Sequence, residues 1–193
     1  MTAATNDTEP SGALDALFVE TIDRLCAEEL DRELRERSEQ GQWPAALWSA
    51  VNGIGLTRCL LPEAEGGSGL GLASAMRSLA RTAFHALPLP VAEALIATRL
   101  LQAGGLAVPE GVLTVGAPAA DGLLPRVAWG ANADHLVVVE SGAAGEAIAL
   151  YGGEPRVVRS ERNLAGEPRD TLALDTMRLL ARAPDCVTIH RQA

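Results

Sequence analysis

The chain has no lysine: all 16 basic residues among its 193 are arginine. That excludes Schiff-base chemistry, which needs a lysine amine, and the lysine that reaches the phosphates in a P-loop. Cysteine is nearly as scarce. Cys26, Cys59 and Cys186 are far apart and form no C-x-x-C pair, so neither a disulfide framework nor a zinc site is expected, and a reduced, cytoplasmic setting fits best. His85, His135 and His190 share no metal-ligand spacing and are read as structural. No stretch approaches the ~20 apolar residues of a membrane span, and the polar, acidic start lacks the order of a signal peptide. Positive charge is also lacking. A formal net charge of −9 argues against nucleic acid, because neutralising phosphates needs a basic face.

What is present is an apolar fraction of 48%, enough for one sizeable core or two small ones. Much of the negative charge is local: residues 1–40 hold eleven acids against four arginines. Residues 1–11 read as a disordered leader, followed by one long surface helix from Gly12 to about Gln40 with acid-before-base pairs such as Asp31/Arg35 and Glu33/Arg37. Pro44 opens a short helix that Asn52 and Gly53 close. The most sharply patterned stretch is Leu60–Leu72, where Pro62 and four glycines demand an ordered turn rather than a helix. Leu72, Ala75, Met76, Leu79, Ala80, Ala83 and Phe84 then recur at steps of three and four, an apolar face expected to pack in the core opposite Arg77 and Arg81. Val91–Ala103 is apolar almost all round. It must be covered on several sides, more than the other helices offer, which predicts a partner chain or domain.

Beyond Gly105 the pattern becomes extended, with β candidates at Val112–Val115, Val127–Trp129, Leu136–Glu140, Ala147–Tyr151, Arg156–Arg159 and Thr171–Leu180. The third and fourth form a hairpin through Ser141–Gly145. Consecutive strands without intervening helices favour an antiparallel sheet or small barrel. The fold class is therefore α+β: an N-terminal α-helical domain at 12–106, a small β domain at 107–183, and a tail at 184–193. Gly67-Ser-Gly69-Leu-Gly71 has the wrong spacing and setting for a dinucleotide loop, and no serine sits in a nucleophile elbow.

The residues nevertheless resemble a known family. Leu47-Trp48 and Gly53-Ile-Gly55-Leu56, then Leu61-Pro62-Glu63-x-x-Gly66-Gly67-x-Gly69, then Leu87-Pro88-Leu89-Pro90-Val91-Ala92-Glu93 look like the N-terminal half of an acyl-CoA dehydrogenase. Arg126–Val139, with Ala133-Asp134 before a valine-rich strand, resembles the family's middle β domain, and Asn163-Leu-Ala-Gly166 resembles its continuation. The resemblance spans about residues 12–182.

It implies a flavoprotein that removes a proton and a hydride from the α and β carbons of an acyl-CoA thioester, the hydride passing to FAD and the electrons leaving through an electron-transfer flavoprotein. Three family features are not matched. The C-terminal helical domain that supplies the catalytic carboxylate does not follow Ala193, so no catalytic residue is assigned in this chain. The flavin signature Thr-Glu-Pro followed by Gly-Ser-Asp is replaced by Leu113-Thr114-Val115-Gly116-Ala117-Pro118. The Trp-Ile-Thr-Asn motif is represented by Trp129 alone. Thr114 and Trp129 are thus the candidate FAD contacts. The expected function is a segment of an FAD-dependent dehydrogenase, inactive alone and needing a C-terminal helical half or a second dehydrogenase subunit. The alternatives are a non-catalytic partner subunit that completes another dehydrogenase's acyl-CoA or flavin pocket, and a plain interaction module.

Overall fold

A computed structural model describes residues 10–142 and 145–184. Five α-helices come first: α1 (Pro10–Glu29), α2 (Arg32–Glu39), α3 (Ala45–Gly53), α4 (Leu72–Phe84) and α5 (Val91–Ala103). Seven strands follow: β1 (Leu113–Gly116), β2 (Leu124–Ala128), β3 (His135–Gly142), β4 (Gly145–Gly152), β5 (Arg156–Arg159), β6 (Arg169–Ala173) and β7 (Arg178–Pro184). The strands form a four-stranded sheet in the order β1-β3-β4-β7 and a three-stranded sheet in the order β2-β6-β5. The α+β class thus holds. One pairing departs from an antiparallel arrangement: β1 runs parallel to β3, with Thr114 opposite Leu136, because the chain crosses to β2 in the other sheet before returning. The hairpin of β3 and β4 is antiparallel, with Val137 opposite Leu150.

Three sequence expectations on elements need correction. The long N-terminal helix is two helices, broken at Leu30-Asp31. The carboxylate of Asp31 does not pair with Arg35 along one helix; it caps α2 by accepting the amide of Leu34 at 2.7 Å. The first helix already begins at Pro10; the rest of the expected disordered leader, like the tail after Pro184, lies outside the described residues. The expected strand Thr171–Leu180 is two strands in different sheets, separated by a corner where Arg156 binds the Asp175 carboxylate at 2.7 Å.

The other corrections concern which faces are covered. Helix α5 needs no outside cover on its buried side. Val91, Ala94 and Leu95 join the helical core, while Ala97 and Leu101 pack on Leu113, Val137, Ile148 and Leu150 of the four-stranded sheet. It is the shared wall between helices and strands, and of its large apolar side chains Ile96 stays exposed, at 51%. Helix α4 packs only part of its expected apolar face, Ala75 and Leu79, into the core. It buries Ser74, Ala75, Ser78 and Thr82 against the bundle and turns Leu72, Met76 and Phe84 outward. Small side chains let α1 approach closely, and the carboxylate of Asp23 on α1 binds Arg81 and fixes the rotation.

The Leu60–Leu72 stretch closes on itself. Leu61 and Leu70 are buried, Glu63–Glu65 makes one 3-10 turn, and the amides of Gly67, Gly69 and Leu70 donate to the carbonyls of Pro62, Leu61 and Cys59 at 3.1, 2.8 and 2.8 Å. Gly66 and Gly69 take positive φ, which glycine adopts without a Cβ clash. No described helix is long and apolar enough to cross a membrane.

Candidate functional site

A cleft of about 440 Å³ lies between the helices and the strands. One wall is Leu79 and Ala83 of α4 with the Ala86–Leu89 turn. The other is Ala165, Glu167 and Arg169 on the approach to β6. The amide side chain of Asn163 builds that second wall, its Oδ1 accepting the amides of Ala165 and Glu167 at 3.0 and 2.9 Å while its Nδ2 donates to Glu167 Oε2 at 2.6 Å. An Asn that satisfies its own loop's backbone in this way is a standard means of fixing a tight turn. Arg162 ties the turn to the end of α2, donating to the carbonyls of Gly166 and Glu39.

Both arginines and two of the three carboxylates that line the cleft have partners. The guanidinium of Arg169 donates to Glu167 at 3.0 Å and lies 3.7 Å from Glu93 of α5. Arg35 donates to the His85 carbonyl at 2.8 Å. These contacts hold helices and strands together. Among the described residues no cluster of three His, Cys, Asp or Glu side chains is placed to hold a metal ion.

Beside the cleft, His85 Nε2 meets Asp23 Oδ1 at 2.8 Å, and Asp23 also receives Arg81. The Arg81 hydrogen bonds, with that of His85 second, hold the Asp23 carboxyl at about 2, below its ordinary value of 3.8. No local signal could have found this cluster, because Asp23 lies 58 residues from Arg81. The histidines read as structural are placed accordingly where described: His85 is in this cluster, and His135 sits on β3 with a buried Nδ1. His190 lies outside the described residues, as does Cys186. Cys26 and Cys59 are buried free thiols, and burial pushes Cys59 up to about 11, so it is not a thiolate nucleophile at neutral pH.

The two residues singled out as flavin contacts are both interior. Thr114 is fully buried, and its hydroxyl donates its one proton to the Ala128 carbonyl at 3.1 Å. Trp129 is 1% exposed, in a left-handed conformation at φ 50, between β2 and the 3-10 turn Gly130–Asn132. Its indole N–H lacks a partner but is enclosed, and Trp43 covers the ring edge-on at 5.3 Å. Trp43 also packs on Trp48 at 5.5 Å, so all three tryptophans join the helical and strand parts. Both side chains are buried, and no chemical step is assigned to them.

Helices α1 to α5 followed by paired small sheets define the class. Residues 15–114 match the family described as "Acyl-CoA dehydrogenase, N-terminal domain", and the chain belongs to the acyl-CoA dehydrogenase family. Among solved structures it is similar to the Tcur3481-Tcur3483 steroid ACAD G363A variant, with 22% identity and a TM-score of 0.69 over 91% of this chain and 58% of that one. It is also similar to the ChsE4-ChsE5 complex from Mycobacterium tuberculosis (19%, 0.67, 96% and 60%). A third is the butyryl-CoA dehydrogenase from Megasphaera elsdenii (16%, 0.58, 96% and 59%). The chain therefore spans about three-fifths of the length of these neighbours. No curated protein sequence matches it.

Proposed function

We propose that this chain is the helical-plus-strand part of an acyl-CoA dehydrogenase assembly that performs FAD-dependent α,β-dehydrogenation of an acyl-CoA thioester, and that it does not catalyse the reaction alone. The observation that carries the reading is the fold: a chain belonging to this family overlays on 58 to 60% of the three neighbours named above while 91 to 96% of its own length is used. The chemistry requires a carboxylate against the α-carbon, hydrogen-bond donors on the thioester carbonyl and a flavin on the opposite side. Glu93 and Glu167 at the cleft are engaged by Arg169, and Thr114 and Trp129 are interior. Those elements come from another part of the assembly. Electrons then leave through an electron-transfer flavoprotein, as the family resemblance implies.

One observation favours a partner-subunit role in particular. Two of the similar structures are named for two proteins, Tcur3481-Tcur3483 and ChsE4-ChsE5, which is the arrangement expected of a chain that completes a second dehydrogenase subunit. The test is a visible absorption spectrum of the purified chain alone and after co-expression with a dehydrogenase-type subunit. The expected result is no bound flavin in the isolated chain and a yellow co-purified complex that oxidises an acyl-CoA. One FAD per chain in the isolated protein would refute it.

A further inference from the structure

A second cavity, about 210 Å³, opens where α2 ends and α3 begins. Its walls include Arg37 and Ser38 of α2, Trp43 of the link, and Ala45 to Leu47, the first three residues of α3. Unlike the larger cleft, it has no Asp or Glu among its lining residues.

Helix α3 starts without a side-chain cap, because Pro44 stands at the cap position and brings no acceptor. Trp48 makes the first helical hydrogen bond, to the Pro44 carbonyl at 3.0 Å, and the Ala45 amide turns back to the Trp43 carbonyl at 3.1 Å. The amides of Ala46 and Leu47 are left with no partner among the described residues. Leu47 is fully buried, so its amide is an orphan donor at the positive end of the helix dipole.

A second orphan donor reaches the same cavity from another element. Ser38 is 3% exposed, and its hydroxyl has no hydrogen-bond partner among the described residues. Leu34, Arg37 and Ser38 all line the cavity and recur at helical steps of three and four, so the Ser38 side chain stands on the side of α2 that faces it. Arg37 adds a half-exposed guanidinium, 3.1 Å from Glu33. Buried donors are satisfied almost everywhere in folded proteins, and these come from two helices and therefore from different directions. An acceptor with oxygens in several directions, a tetrahedral oxyanion, suits them better than a planar carboxylate. The volume holds several water molecules, which leaves room for a phosphate group.

We propose that this cavity binds a phosphate group, free or as a monoester, on the amides of Ala46 and Leu47 and the hydroxyl of Ser38, with Arg37 as the countercharge. It shares no lining residue with the larger cleft and requires neither flavin nor acyl-CoA, so its test stands apart from that of the dehydrogenase reading.

Trp43 lines the cavity and packs on Trp48 and Trp129, so tryptophan emission of the full chain reports occupancy. At neutral pH and constant ionic strength, inorganic phosphate should change that emission saturably and raise the urea midpoint by mass action, and acetate should bind about tenfold or more weakly. Ser38→Ala should weaken phosphate about tenfold. Without phosphate the same variant should be at least as stable to urea as the parent, because it removes a buried hydroxyl that has no partner, and a merely structural serine would not give that pair of results. Ala46→Glu, at an exposed position, sets a carboxylate on the free amides; phosphate binding should be lost while the urea midpoint holds or rises, since an acid in the first turn is favourable. Ser49→Ala, at an exposed position of the same helix, should leave binding unchanged. Phenyl phosphate separates the two sources: if it binds, the site takes a phosphate monoester, and if it is excluded while inorganic phosphate binds, the site takes the free ion, the proposal standing in both cases. No saturable response to either phosphate in emission or urea midpoint would overturn it. So would acetate binding as tightly as phosphate, or Ser38→Ala or Ala46→Glu binding phosphate like the parent.

Discussion

Gly67 is the position where adding one methyl group should do most damage. A Cβ built there lies 2.1 Å from the Leu61 carbonyl oxygen and 2.5 Å from that of Arg58, both backbone atoms that cannot rotate away. Those two carbonyls accept the amides of Gly69 at 2.8 Å and Leu61 at 2.9 Å, so relieving the clash breaks the turn that buries Leu61 and Leu70. Losing those two backbone hydrogen bonds at about 0.5 to 1.5 kcal/mol each, and with them part of the burial of Leu61 and Leu70, puts the cost of Gly67→Ala at roughly 2 to 6 kcal/mol. That is a large share of the ~5 to 15 kcal/mol total expected of a domain. Gly71→Ala is the control, since its φ is −66 and its Cβ meets nothing within 4 Å, so it should fall within about 0.5 kcal/mol of the parent. Gly66→Ala lies between: the space is open but φ is +80, which costs an L residue about 1 to 2 kcal/mol. Urea denaturation followed by far-ultraviolet circular dichroism measures all three. Gly67→Ala within 1 kcal/mol of the parent would refute the account of the loop as a close-packed turn.

Two further predictions concern contacts between distant parts of the chain. Asp23 is held at about 2 by Arg81 and His85, so its contribution to stability is complete above the ordinary carboxylate range and fades as pH falls through about 2. Asp23→Asn should therefore lower the urea midpoint at pH 6 to 7 and converge with the parent toward pH 2; a gap constant across that range would count against the pairing. Trp43→Ala removes two aromatic contacts worth roughly 0.5 to 1.5 kcal/mol each and opens the seam over Trp129. It should cost about 1 to 3 kcal/mol and shift tryptophan emission to the red, whereas a loss under about 0.5 kcal/mol would show that the seam carries little stability.

The local signals were well marked in the residue pattern. Helix-stop glycines and prolines bounded α3 and α5, the change to extended periodicity after Gly105 located the strands, and the Pro62 to Gly69 spacing pointed to the family. Those features act over a few residues, through backbone sterics and side-chain period, and they operate whatever the rest of the chain does. The direction in which α4 faces lies beyond them. Its amphipathic period is real, but Leu72, Met76 and Phe84 turn outward because Asp23 reaches Arg81 across 58 positions and Ser74, Ser78 and Thr82 allow α1 close contact. The cover for α5 is equally non-local, since it comes from Val137, Ile148 and Leu150 on strands that exist only once the sheet has paired.

The same division governs the candidate site. Trp129 and Thr114 stood out by their neighbours in the chain, yet the parallel pairing of β1 with β3 and the packing of Trp43 put both inside the core. By itself the sequence determined the family, the order of helices before strands, and the exclusion of lysine-dependent chemistry. Only the tertiary structure decided which faces are covered, because burial depends on what long-range contacts bring opposite each residue, and a one-dimensional pattern specifies a face without specifying its partner.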